Sequence, residues 1–284
     1  MAATTTATDG INKDTAVHDH AQVNGARGYN YSGNPLAHMN TGDSARFPAF
    51  GGEFQPGLYK PNTERKFANP APLGLSAFAL TTFVLSLINI QNRDVTEPNI
   101  IISLGFGYGG LVQLLAGMWE MAVGNTFGAT ALSSFGGFWI SVACILTPGL
   151  GIGAAYTGTA DAPVGVNDFN NAFGFFFAGW FIFTTVLLLC TLRSTVAFFM
   201  LFLTLDMALL FLCLGHLQAD AKGAANQTLL STGGYFGLLA AFCAWYNALA
   251  GIADDSNSFF VVPVAHFPWS VKGRERRAIT DTER

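Results

Sequence analysis

Along this chain, apolar and polar positions are sorted into blocks instead of alternating. Up to about residue 68, Thr, Asn, Gly, Asp and His recur with no helical or strand period, which predicts a disordered arm. Six almost wholly apolar runs follow, over 72–91, 99–122, 127–148, 170–191, 195–218 and 228–250. Each holds about 20 residues or more, and ~20 residues at ~1.5 Å rise cross a hydrocarbon layer of ~30 Å. The pattern predicts an all-α, polytopic membrane protein with six transmembrane helices. Its expected organisation is a cytoplasmic arm (1–68), a helical domain (69–251) and a cytoplasmic tail (252–284). The first run lies too far from the N-terminus to be a cleavable leader and reads as an internal anchor. The run Phe259-Phe260-Val261-Val262-Pro263 is too short to span and is expected to fold back under the bundle.

Charge gives the helices a direction. Of the 14 Lys and Arg residues, only Arg93 and Lys222 fall in connections on one side; the other twelve lie in the arm, the tail and the turn holding Arg193. Positively charged connections stay cytoplasmic, so both termini are expected inside. Asn30-Tyr31-Ser32, a formal glycosylation sequon, is then not used. No Lys or Arg lies within a span, and only two acids do, Glu120 and Asp206. Charges at mid-membrane cost ~2.5–3.5 kcal/mol on insertion scales and usually meet a wet cavity or a partner. Glu120, late in the second run, is expected to reach water at the cytoplasmic end; Asp206 falls near the middle of the fifth run. Both are candidates for proton coupling, with structural pairing the alternative.

Composition narrows the function classes. The chain is 51% hydrophobic and 11% charged, whereas soluble domains average about 25% charged. A net charge of −4 argues against nucleic acid as partner. The cysteines (Cys144, Cys190, Cys213, Cys243) sit in apolar runs without metal-ligand spacing. His18 and His20 lack supporting ligands. Gly105-Phe106-Gly107-Tyr108-Gly109-Gly110 matches a dinucleotide fingerprint formally, but no strand precedes it. Gly105/Gly109 and Gly233/Gly237, each four apart, instead read as faces for close helix packing. With no nucleophile–base set, no metal cluster and no phosphate loop, an enzyme has little support; no cofactor and no metal site are expected.

The mouth of the first run is Asn69-Pro70-Ala71-Pro72-Leu73-Gly74-Leu75. Asn69 suits an N-cap, and Pro70 and Pro72 suit a first turn whose N–H groups have no intrahelical partner. Gly74 leaves room for a neighbour or a small solute. Such a helix start attracts anions, although an ordinary helix start explains the same residues. The stretch resembles the signature of the acetate uptake transporter family. Phe106-Gly107-Tyr108-Gly109-Gly110, Gly124-Asn125-Thr126-Phe127-Gly128 and Ser134-Phe135-Gly136-Gly137-Phe138-Trp139 are similar to its further motifs, in the same order, and the long arm resembles the fungal branch. The resemblance implies a plasma-membrane carrier of acetate and other short monocarboxylates, moved with protons by a homo-oligomer, commonly a hexamer. It also implies an apolar constriction of Phe78, Phe135 and Leu205, and a role for Ala244 in substrate range. The family usually has Tyr where this chain has Phe135. On composition alone these residues are ordinary packing. A passive acetate channel, an ammonium or ammonia exporter and a membrane-anchored sensor are the rival readings.

Overall fold

The computed structural model describes residues 67–156, 165–253, 257–260, 262–270 and 272–274. Among these residues, six helices are long and apolar enough to cross a membrane: α1 (Ala71–Asn89), α2 (Asn99–Ala122), α3 (Thr126–Leu146), α4 (Asp168–Thr191), α5 (Val196–Leu217) and α6 (Gln227–Ile252). The chain is thus an all-α, multi-pass membrane protein, and the apolar runs mark the helices to within about three residues at each end. The arm up to residue 66, with His18, His20 and the Asn30 sequon, lies outside the described residues, as do Arg276, Arg277 and Arg284 of the tail.

Six crossings place the starts of α1, α3 and α5 and the ends of α2, α4 and α6 on one face. α1 packs along α6, α6 along α5, α5 along α4, and α2 along α3; α1 also crosses α2. The shared core is aromatic and aliphatic, built on Phe78, Phe135, Phe138, Trp139, Phe177, Phe202 and Leu205.

Glycine lets these helices approach. A Cβ at Gly105 would lie 2.9 Å from the Trp139 carbonyl oxygen on α3, and one at Gly109 would lie 2.5 Å from Thr81 Oγ1 on α1. In α6 a Cβ at Gly233 would meet the Ala208 carbonyl oxygen of α5 at 3.1 Å, and one at Gly237 would meet Ser86 Oγ of α1 at 2.2 Å. Each glycine pair therefore serves two neighbours, not the single face that the four-residue spacing predicts. In α2 the reason is a π-helical turn over Gly107–Val112, which widens the helix and rotates its later residues. Gly110 is required there, because a Cβ would sit 2.0 Å from the carbonyl oxygen of Gly105.

Candidate functional site: two stacked cavities and the ring between them

Two cavities follow one another along α1, α3 and α5. The wider, about 440 Å³, opens at the face where α1, α3 and α5 begin. Its wall takes Ala71 and Leu75 from α1, Asn125 and, from α3, Phe127, Gly128, Ala131 and Leu132, Cys190 and Thr191 from the end of α4, Arg193 and Ser194 from the turn after it, and Phe198 and Phe202 from α5. The narrower, about 30 Å³, continues toward the opposite face past Thr82, Ser86 and Asn89 of α1, Leu209 and Leu212 of α5, and Gly233 and Gly237 of α6. The two walls share no residue.

Phe78, Phe135 and Leu205 lie at the junction. On α1 the wall passes from Leu75 to Phe78, on α3 from Leu132 to Phe135, and on α5 from Phe202 to Leu205, the first member of each pair in the wide cavity and the second in the narrow one. The three side chains are at most 7% exposed, and the Phe78 and Phe135 ring centroids stand 6.0 Å apart. Trp180 and Phe183 of α4 lie 5.7 and 6.1 Å from the Phe135 ring and back it from behind. Ala244 is wholly buried in α6 and lines neither cavity.

The mouth of α1 divides its residues. Pro70 occupies the N-cap position that the sequence suggests for Asn69. Asn69 still caps, because its Oδ1 accepts from the Ala71 N–H at 3.1 Å. Ala71 and Leu75 face the wide cavity. Pro72 packs where a Cβ at Gly251 of α6 would come, and the space beside Gly74 is filled by Leu132 and Ala116. Leu73 is half exposed on the outside.

Glu120 does not reach water as its place in the sequence suggests; it is 1% exposed. The junction to α3 folds over it. Gly124, at φ 83°, ends α2, its N–H donating to the Met121 carbonyl and that of Asn125 to the Glu120 carbonyl. This left-handed C-terminal cap favours glycine. Asn125 then serves both helices: its Nδ2 donates to Glu120 Oε2 at 2.6 Å, and its Oδ1 accepts from the Gly128 N–H at 3.0 Å. A Cβ at Gly128 would come within 2.8 Å of Glu120 Oε2. Asn125 and Gly128 line the wide cavity with Glu120 directly behind them, and Glu120 Oε1 has no hydrogen-bond partner. Asp206 is 3% exposed and turns to α4. The Thr185 hydroxyl lies 3.1 and 3.2 Å from its two oxygens and 3.0 Å from the Phe181 carbonyl oxygen, so its one proton is shared among them. The structure thus places Asp206 at a helix–helix contact, lining neither cavity.

The profile of the GPR1/FUN34/yaaH family matches residues 50–269. The chain belongs to the GPR1/FUN34/yaaH family. It is 67% identical to acetate permease A of Emericella nidulans over 88% of this chain and 83% of that one. It is 33% identical to the succinate-acetate/proton symporter SatP of Escherichia coli over 70% of this chain and 96% of that one. A solved structure described as the bacterial acetate channel SatP superposes with a TM-score of 0.58 at 32% identity, covering 70% of this chain and all of the other.

In this member of the GPR1/FUN34/yaaH family, three site residues carry little sequence signal. Asn125 falls in the family-like segment Gly124–Gly128, which marks its place but not its hydrogen bond to Glu120. Thr185 is one of many hydroxyls in apolar helices. Arg193 reads as a topology charge, yet it stands on the wall of the wide cavity.

Proposed function

We propose that this protein carries acetate and other short monocarboxylates across the plasma membrane, coupled to protons, with each subunit of a homo-oligomer, a hexamer by family resemblance, holding its own pathway. It is a transporter and not an enzyme, with 69–251 as its transport domain between a cytoplasmic arm and tail. The observation that carries this reading is the position of Phe78, Phe135 and Leu205, one turn past the last residue of the wide cavity on three separate helices. An apolar ring between two cavities makes a carboxylate shed its water, whereas the neutral acid sheds little. The kinship with an acetate permease and a succinate-acetate/proton symporter supports the same substrate class.

The wide cavity is then the cytoplasmic vestibule, since the arm and tail hold most of the basic residues. Asn69, Pro70, Pro72, Leu73 and Gly74 build the helix start that brings Ala71 and Leu75 to its wall. Glu120, behind Asn125, exchanges the coupled proton, and Asp206 is the second candidate. Ala244 acts on substrate range from behind the wall. The test is uptake of labelled acetate into proteoliposomes under an imposed pH gradient. Accumulation above the external concentration is expected; equilibration alone makes the protein a channel, and no acetate flux overturns the reading.

A further inference from the structure

The chain does not end its structural role at α6. Residues 262–270 return to the turn between α4 and α5. The Val196 N–H donates to the Ala265 carbonyl at 2.8 Å, and Thr195 and His266 form an antiparallel bridge. Trp269 Nε1 donates to the Leu192 carbonyl at 2.7 Å, a last-turn carbonyl of the kind that helices leave without a partner. Phe267 packs edge-on to Phe199 at 5.6 Å and stacks on Trp269 at 4.8 Å. The Tyr246 hydroxyl of α6 donates to the Pro263 carbonyl, and Val262 is buried. The tail therefore grips the turn at Leu192 and at Thr195–Val196, on both sides of Arg193. Among the described residues, Arg193 is the sole charged group on the wall of the wide cavity, and no Asp or Glu shares that wall.

We infer that segment 262–269 is a strap whose Trp269 positions Arg193 over the wide cavity, where the guanidinium receives the carboxylate of the solute. The inference rests on the transport reading for the identity of the solute, but the charge of the cavity can be read without transport. A guanidinium offers a carboxylate paired N–H donors, and it keeps its place only if the turn carrying it is held. Ordinary anchoring of an interfacial tryptophan accounts for Trp269 at the surface but not for any change in the cavity.

The experiment uses the full chain with Cys190→Ala and Ser194→Cys, which places a thiol on the cavity wall beside Arg193. Labelling rates are compared for an anionic and a neutral methanethiosulfonate of similar size. The anionic reagent is expected to be favoured, and Arg193→Gln to lower that preference about three- to tenfold. Trp269→Phe keeps the ring and removes the N–H; it is expected to lower the preference in the same direction, and to add nothing once Arg193 is Gln. In oriented proteoliposomes, Arg193→Gln should raise the half-saturating acetate concentration at the cytoplasmic face about fivefold or more and leave that of the other face unchanged. An unchanged charge preference in Arg193→Gln overturns the assignment of Arg193. Full additivity of Trp269→Phe with Arg193→Gln overturns the strap. Absence of acetate flux beside an Arg193-dependent charge preference removes the transport reading and leaves the anion site standing.

Discussion

The ring of Phe78, Phe135 and Leu205 sets the terms at the scale of single residues. If side-chain volume at the ring decides which acids pass, Leu205→Ala and Phe135→Ala should raise the ratio of lactate to acetate uptake by about tenfold or more. Truncation of packed side chains also destabilises by about 2–5 kcal/mol, so the ratio, and not the rate, is the measurement. An unchanged ratio places the selecting step elsewhere. Phe135→Tyr restores a hydroxyl at nearly constant volume, in a site walled by Trp180 and Phe183. Glu120→Gln keeps an oxygen for Asn125 Nδ2 to donate to and removes the exchangeable proton. Acetate exchange at equal pH should persist in that variant while accumulation driven by a pH gradient disappears; retained accumulation would take Glu120 out of coupling. The positions of these residues were partly readable in the sequence. The motifs around Phe78 and Phe135 locate them, and an acid in an apolar run marks itself. The burial of Glu120 was not readable, because it depends on a junction in which Gly124, Asn125 and Gly128 act together.

Elements show the same division. Helix existence and ends follow from block length alone, because a membrane demands a nearly fixed number of apolar residues. Partner choice follows from shape, which composition does not encode. Gly105 and Gly109 share a spacing that reads as one packing face, yet Gly105 meets α3 and Gly109, inside the π-helical turn Gly107–Val112, meets α1. Gly110→Ala tests that turn. Its methyl would overlap the Gly105 carbonyl, so the variant should lose about 1–3 kcal/mol, seen as a lower unfolding temperature in detergent. Asn125→Ala removes a helix cap and the Glu120 contact together. The cap alone is worth about 0.5–2 kcal/mol, and unfolding should shift downward by about 2–4 °C per kcal/mol lost in a chain of this size.

Across the whole molecule, the sidedness proposed for the bundle rests on the distribution of Lys and Arg between its two faces. A tag at either terminus should be inaccessible to reagents added outside intact cells, and Asn226-Gln227-Thr228 should lie on the outer side, too near the membrane to receive a glycan. Surface labelling of the N-terminal arm would reverse the orientation and with it the assignment of the wide cavity to the cytoplasm. The return of the tail to the α4–α5 turn was foreshadowed by the run Phe259–Pro263, too short to cross and expected to fold back under the bundle. Its docking point could not be read in advance, since it rests on backbone pairing and one indole N–H.

Both cavities and the ring between them are walled by the helices of one chain. If the subunits assemble as proposed, a diploid cell carrying one functional and one blocked allele would mix the two kinds, but a blocked pathway would not close its neighbour. Defects confined to the ring should therefore behave as recessive, with flux following gene dosage. Dominant interference would point to lesions on the lipid-facing or subunit-facing surfaces instead.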